Sequence, residues 1–243
     1  MTNTERIKTG IPGFDELVEG GIPKGSFVVL TGGPGTGKTI LGLQFLANGI
    51  TQYNEKGIFI SVEQSRAEIL SQARQFGWDL EKMEKEKKLR IIIMGTRDLF
   101  ETSEVEKVIS SIKEDHYSRV VIDSITSFIM MPPSPSSVAM SISGKQNVGA
   151  LGELKRASAA MLIDQIKTTG VTALGLAQKI EGMPGLTADT ISEFKADGLV
   201  MLSIVETGGD VSRTLKVLKM RSSDNDLNTK KFTIRKRTGV AIE

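Results

Sequence analysis

The sequence predicts an α/β fold, a mainly parallel twisted sheet flanked by helices. Three observations carry that prediction. Short apolar runs alternate with helical periods along the whole chain, the pattern of repeated strand–helix–strand units. One run, Phe27-Val28-Val29-Leu30, leads straight into TGGPGTGKTI at residues 31–40, a glycine-rich turn with a helical pattern behind it. No break in composition suggests a linker, so residues 1–243 read as one domain, long enough to bury a substantial core.

Each element has its own justification. Apolar runs place strands at 27–31, 58–62, 90–94, 119–123, 171–177, 198–204 and 213–220. The first helix runs from Lys38 to about Gly49, behind the glycine-rich turn. A second opens at Ser65-Arg66-Ala67-Glu68, where Ser65 caps the backbone and Glu68 completes a capping box. Two more span Glu104 to about Asp115 and Gly149 to about Thr169. The charge-dense EKMEKEKKLR, residues 81–90, reads as a solvated helix end and loop. Two long irregular connections, 130–149 and 179–195, leave the carboxyl ends of predicted strands. That is the side on which open α/β sheets bind ligands.

Composition narrows the function. The chain is 39% hydrophobic and 25% charged, an ordinary globular balance. It has no cysteine, which excludes disulfides and thiolate metal sites and fits a reducing compartment. No apolar run is long enough to span a bilayer, and MTNTERIKTG lacks a signal-peptide core. A net charge of +2 does not by itself imply nucleic acid. The expectation is a soluble cytoplasmic protein with no membrane partner.

The turn at 31–40 carries the chemistry. In Gly32, Gly33, Pro34, Gly35, Thr36 and Gly37, the glycines let successive backbone N–H groups face phosphates. The helix N-terminus that follows, from Lys38 through Thr39 to Ile40, adds a favourable dipole. Lys38 reaches the β- and γ-phosphates, and the Thr39 hydroxyl is a Mg²⁺ ligand. Arg119-Val120-Val121-Ile122-Asp123 ends a predicted strand in a carboxylate. Asp123 is either a second Mg²⁺ ligand or a cap for the following turn. The next residue is Ser124 rather than an acid, so a water-activating carboxylate has to come from elsewhere. Glu63 ends the strand after the first helix, on the same edge as Lys38 and Asp123. It either orients the attacking water or caps the helix opening at Ser65. His116 and Trp78 read as surface and packing residues. Lys230, Lys231, Arg235, Lys236 and Arg237 form the main basic cluster, either a solvated strand face or a surface for an anionic partner.

TGIPGFDELVEGGIPKGSFVVLTGGPGTGKT, with SVEQ, VVIDS and KMRSS, resembles the RecA/RadA-like P-loop ATPases, most closely KaiC and its single-domain relatives. The resemblance implies a RecA-like P-loop NTPase core, ATP and Mg²⁺ as ligands, ATP bound between neighbouring subunits, and a homo-oligomeric, six-membered ring. It implies that Glu63 is the catalytic carboxylate. KaiC carries a second acid beside it; here that position is Gln64. It also gives a role to Lys219 and Arg221, which share a strand face by the two-residue period. On the residues alone they are a solvated strand edge. By resemblance they reach a neighbour's γ-phosphate, as an arginine finger does. The family's following Gly and His are Ser222 and Asn225 here. The hydroxyl pair that clock-type autophosphorylation uses falls on Glu193 and Phe194, neither a hydroxyl, so that activity is expected to be absent.

The leading reading is an ATPase that converts hydrolysis into conformational change. The runner-up is a recombinase-like ATPase that holds DNA with its two long loops. Those loops offer only Lys145, Lys179 and Lys195 toward a phosphate backbone. A small-molecule phosphotransferase needs an acceptor pocket with cationic clamps, for which the sequence shows no candidate.

Overall fold

The computed structural model describes residues 4–95, 102–130, 160–180, 182 and 185–243. Its main sheet has nine strands in the order β11-β10-β9-β8-β3-β7-β6-β4-β5. These are β3 (Phe27–Gly32), β4 (Gly57–Ser61), β5 (Leu89–Ile93), β6 (Arg119–Asp123), β7 (Thr172–Gln178), β8 (Gly198–Thr207), β9 (Asp210–Met220), β10 (Lys230–Arg235) and β11 (Gly239–Ile242). Every pairing from β8 through β3 to β5 is parallel, and the pairings among β8, β9, β10 and β11 are antiparallel. A two-stranded ribbon, β1 (Arg6–Ile7) with β2 (Ile22–Pro23), stands apart from the sheet. Strands β3, β4 and β6 are buried at every position, as strands covered on both faces must be.

Helix α1 (Lys38–Tyr53) packs one face of the sheet, where Leu41, Leu43, Phe45, Leu46 and Ile50 meet Val121, Leu174 and Leu176. On the other face Ile112 of α4 (Thr102–Glu114), Ile125 of α5 (Ile125–Met130), and Ile163 and Ile166 of the helical stretch 160–168 meet Phe27, Val29 and Val120. Helix α2 (Arg66–Gln75) starts with the expected capping box: Ser65 Oγ accepts the Glu68 amide, and Glu68 Oε2 accepts the Ser65 amide at 2.8 Å. The charged stretch at 81–90 is helical over most of its first half, in α3 (Leu80–Lys85), and then enters β5.

The C-terminal region departs most from the sequence expectation. The strand expected at 198–204 continues to Thr207, turns at Gly208–Gly209 and returns as β9 from Asp210. The basic cluster at 230–237 lies on and just beyond β10, whose Phe232 and Ile234 pack toward α1. This antiparallel ribbon supports the glycine-rich turn from the side: a Cβ on Gly37 would come within 2.7 Å of Ile234 Cδ1.

Arg119 is 1% exposed and ties three segments together. It donates to Glu55, to the Phe45 carbonyl at 2.8 Å and to the Lys8 carbonyl at 2.6 Å, and it lies over the Phe45 ring. Gly49 leaves it room, since any Cβ there would collide with the guanidinium. The N-terminal motif is knotted to the same helix. Asp15 accepts the Thr9 amide and hydroxyl, and Asn48 of α1 donates to the Gly10 carbonyl at 2.8 Å. The TGIPGFDEL segment is thereby held against the back of α1, whose front end carries Lys38.

Candidate functional site

The glycine-rich turn joins β3 to α1 with Gly35 at φ 72° and Gly37 at φ 104°, conformations that favour glycine. A Cβ at Gly33 or Gly35 would meet nothing within 4 Å among the described residues, so there is open space beside the turn. Thr36 closes the turn from below by donating to the Gly33 carbonyl at 2.8 Å. Lys38 folds back over it, and its Nζ donates to the Gly32 and Gly33 carbonyls, both at 2.8 Å. Burial lowers the pKa of this ammonium, against the pull of Asp123 and Glu63, which raise it. A partly desolvated cation held only by neutral carbonyls is set to exchange them for an anion.

Strand β6 lies between β7 and β4, and its last residue brings Asp123 beside the start of α1. Asp123 Oδ2 accepts the Thr39 hydroxyl at 2.7 Å. Its pKa is pushed up to about 6, chiefly by burial; the Thr39 hydroxyl and Lys38 act in the opposite direction, and the negative Glu63 adds to the rise. The peptide from Asp123 to Ser124 is cis. Capping of the following helix α5 falls to Ser124, whose Oγ accepts the Ser127 amide at 3.2 Å. Asp123 therefore faces Thr39 rather than the turn.

Glu63 follows β4, on the same end of the sheet. The α2 cap is made by Ser65 and Glu68, and Glu63 takes no part in it. Its Oε1 instead accepts from Ser124 Oγ at 2.5 Å, Ser127 Oγ at 2.6 Å and Gln178 Nε2 at 3.3 Å. Neighbouring Gln64 is held through its backbone by Ser61 and leaves its Oε1 buried with no partner among the described residues. Ser127 and Gln178 were invisible to sequence reasoning. So was Arg213 of β9, whose Nη2 lies 3.5 Å from the Gly35 carbonyl and whose Nε is buried with no partner among the described residues.

Lys219 and Arg221 are elsewhere. Met220 between them pairs with Gly198, which pairs with Val28 near the start of β3, whereas Gly32 pairs with Leu202. Four residues of strand separate the two levels, roughly 13 Å. Both side chains reach the segment before β8, as the shared strand face requires. Lys219 Nζ donates to the Ala196 carbonyl at 2.6 Å, and Arg221 Nη1 pairs with Asp197 Oδ1 at 3.1 Å. Burial and the nearby Arg221 lower the Lys219 pKa. Burial works against the Asp197 anion, but Lys167, the Phe27 amide and Arg221 outweigh it and keep its pKa low.

The two long connections fare differently. Residues 131–149, with Lys145, lie outside the described residues. In the second, the Thr31 hydroxyl donates to the Leu186 carbonyl, and the Glu193 carboxylate accepts the Leu186 and Thr187 amides. Lys195 there is paired with Asp164 at 2.7 Å, and Phe194 is 70% exposed.

The family model described as the KaiC ATPase matches residues 7–243. The chain belongs to the KaiC ATPase family. A UPF0273 protein of Sulfurisphaera tokodaii is 35% identical over 234 residues, covering 90% of this chain and 75% of that one. The circadian clock oscillator protein KaiC of Synechococcus elongatus is 32% identical over 239 residues, which is 94% of this chain but only 42% of the clock protein. In structure, the crystallised KaiC-like protein of the hyperthermophilic archaeon Pyrococcus horikoshii OT3 superposes with a TM-score of 0.80 at 30% identity over 99% of both chains. The fold is thus the RecA-like KaiC core, and the glycine-rich turn is its P-loop. The family is one of nucleotide-binding ATPases. Among the described residues no helix is long and apolar enough to cross a membrane.

Proposed function

We propose that this KaiC-family chain, one domain over 1–243, hydrolyses ATP in a homo-oligomeric ring, most simply a hexamer, and converts hydrolysis into conformational change. One observation carries the reading. Lys38, Thr39, Asp123 and Glu63 share one end of the sheet, while Lys219 and Arg221 sit at the other, out of reach of their own P-loop.

Gly32 to Gly37 cradle the phosphates, and Lys38 leaves its two carbonyls for the β- and γ-phosphate oxygens. The paired Thr39 hydroxyl and Asp123 carboxylate are hard oxygen donors that fit Mg²⁺, which binds through one or two protein oxygens plus substrate phosphates. When bound it neutralises charge on the β- and γ-oxygens. Glu63 accepts a proton of the attacking water as the water oxygen bonds to the γ-phosphorus and the bond from that phosphorus to the β–γ bridging oxygen breaks, so that ADP and inorganic phosphate leave. Arg221 and Lys219 of a neighbouring subunit meet the charge that develops on the transferred group. Their present partners are the mostly buried Asp197 carboxylate, for the half-exposed Arg221, and backbone carbonyls, for Lys219, and both are given up in the exchange.

The DNA-holding alternative gains no support from the second connection, where Lys195 already has a carboxylate partner. Clock-type autophosphorylation is not part of this reading, because Glu193 and Phe194 carry no hydroxyl. Solution mass with and without ATP and Mg²⁺, repeated with single-stranded DNA, tests the proposal. A ring that assembles with ATP and ignores DNA is expected. A monomer under all conditions that still hydrolyses ATP would contradict it.

A further inference from the structure

Glu63 Oε1 is the meeting point of three donors, from the residue after β6, the first turn of α5 and the end of β7. A carboxylate only accepts, and each serine hydroxyl has a single proton, so both protons point at the same oxygen. The 3.0 Å contact between the two hydroxyl oxygens is then the geometric result of their convergence. Among the described residues no hydrogen bond reaches the other oxygen, Oε2. Glu63 itself is exposed, and a solvated glutamate would otherwise lose its orientation among many rotamers.

We infer that Ser124 and Ser127 are positioning residues, a clamp that fixes Glu63 by Oε1 and leaves Oε2 to engage the attacking water. The inference rests on the proposed role of Glu63 as the group that accepts the water's proton. The two serines differ in what else they do. Ser124 is 2% exposed and caps α5, so its loss also costs helix stability. Among the described residues the Ser127 hydroxyl hydrogen-bonds only Glu63 and Ser124, and it is the cleaner probe. Charge-assisted hydrogen bonds of this length are the strong ones, and small misplacements of a catalytic group are costly to rate.

The test is single-turnover hydrolysis and ATP affinity for wild type, Ser127→Ala, Ser127→Thr, Glu63→Gln and the Glu63→Gln/Ser127→Ala double variant, with thermal melting as the fold control. Ser127→Ala should lower the hydrolytic rate about 10-fold at unchanged ATP affinity and melting temperature. Ser127→Thr, which keeps the hydroxyl, should recover most of it. In the Glu63→Gln background, Ser127→Ala should add nothing, because its effect passes through the carboxylate. Ser124→Ala/Ser127→Ala should cost about 10²-fold if it folds. A slow Glu63→Gln beside a Ser127→Ala of wild-type rate overturns the clamp alone. So does a further 10-fold loss from Ser127→Ala on top of Glu63→Gln. A Glu63→Gln variant of wild-type rate removes the proposed base, and the clamp with it.

Discussion

The two ends of the sheet hold their cations in different ways. At the P-loop end, Lys38 rests on two carbonyls of its own turn, with Asp123 and Glu63 close enough to shift its pKa. At the far end, Lys219 also rests on carbonyls, but Arg221 faces a carboxylate, Asp197, that Lys167 and a backbone amide already serve. The first end has a turn open to a ligand and a hydroxyl–carboxylate pair suited to a metal. The second has cations, Lys219 and Arg221, held by carbonyls and by Asp197. Under the proposed function, a second copy of the chain offers its far end to the first copy's P-loop.

Four substitutions sharpen that contrast. Lys38→Ala should abolish phosphate binding and ATP-dependent assembly while leaving the fold intact; titration with a fluorescent ATP analogue at wild-type affinity would show the P-loop assignment to be wrong. Arg221→Ala should spare ATP binding and slow hydrolysis by up to ~10³–10⁵-fold if it acts as arginine fingers do. The readout is phosphate release at saturating ATP. Glu63→Gln should keep ATP and Mg²⁺ binding and lose ~10²–10⁴-fold in turnover, because only the handling of water is changed. Lys219→Ala should give the mildest loss, since a point charge does not reproduce a planar fork. A larger loss for Lys219→Ala than for Arg221→Ala would mean that the ion pair with Asp197 keeps the arginine out of the reaction.

The parallel half of the fold was legible because buried strands write themselves as apolar runs. The expected 58–62 and 119–123 match β4 and β6 to within a residue, and Ser65 with Glu68 announced the start of α2. The antiparallel half was harder. Strand β10 contributes only Phe232 and Ile234 to the core, and its lysines and arginine mask a period-two alternation that was there to be read. Arg119 heads an apolar strand and gave no sign of burial, since its partners Glu55 and the Lys8 carbonyl are distant in sequence. The P-loop, Asp123 and Glu63 stood out because motif chemistry and strand ends place them. The groups around Glu63 did not, lying 61, 64 and 115 residues away in the chain. Only the sheet order, with β6 between β4 and β7, brings them together.

Mixing two inactive proteins tests the shared site most directly. Arg221→Ala and Glu63→Gln subunits are each expected to hydrolyse ATP poorly as homo-oligomers. In a mixed ring, some interfaces pair an intact Glu63 from one subunit with an intact Arg221 from its neighbour. Subunit exchange is established first with differently labelled proteins, and phosphate release is then measured across mixing ratios. The account predicts recovered hydrolysis that peaks near equal proportions. Exchange without any recovery would contradict it, and would return Lys219 and Arg221 to a solvated strand edge.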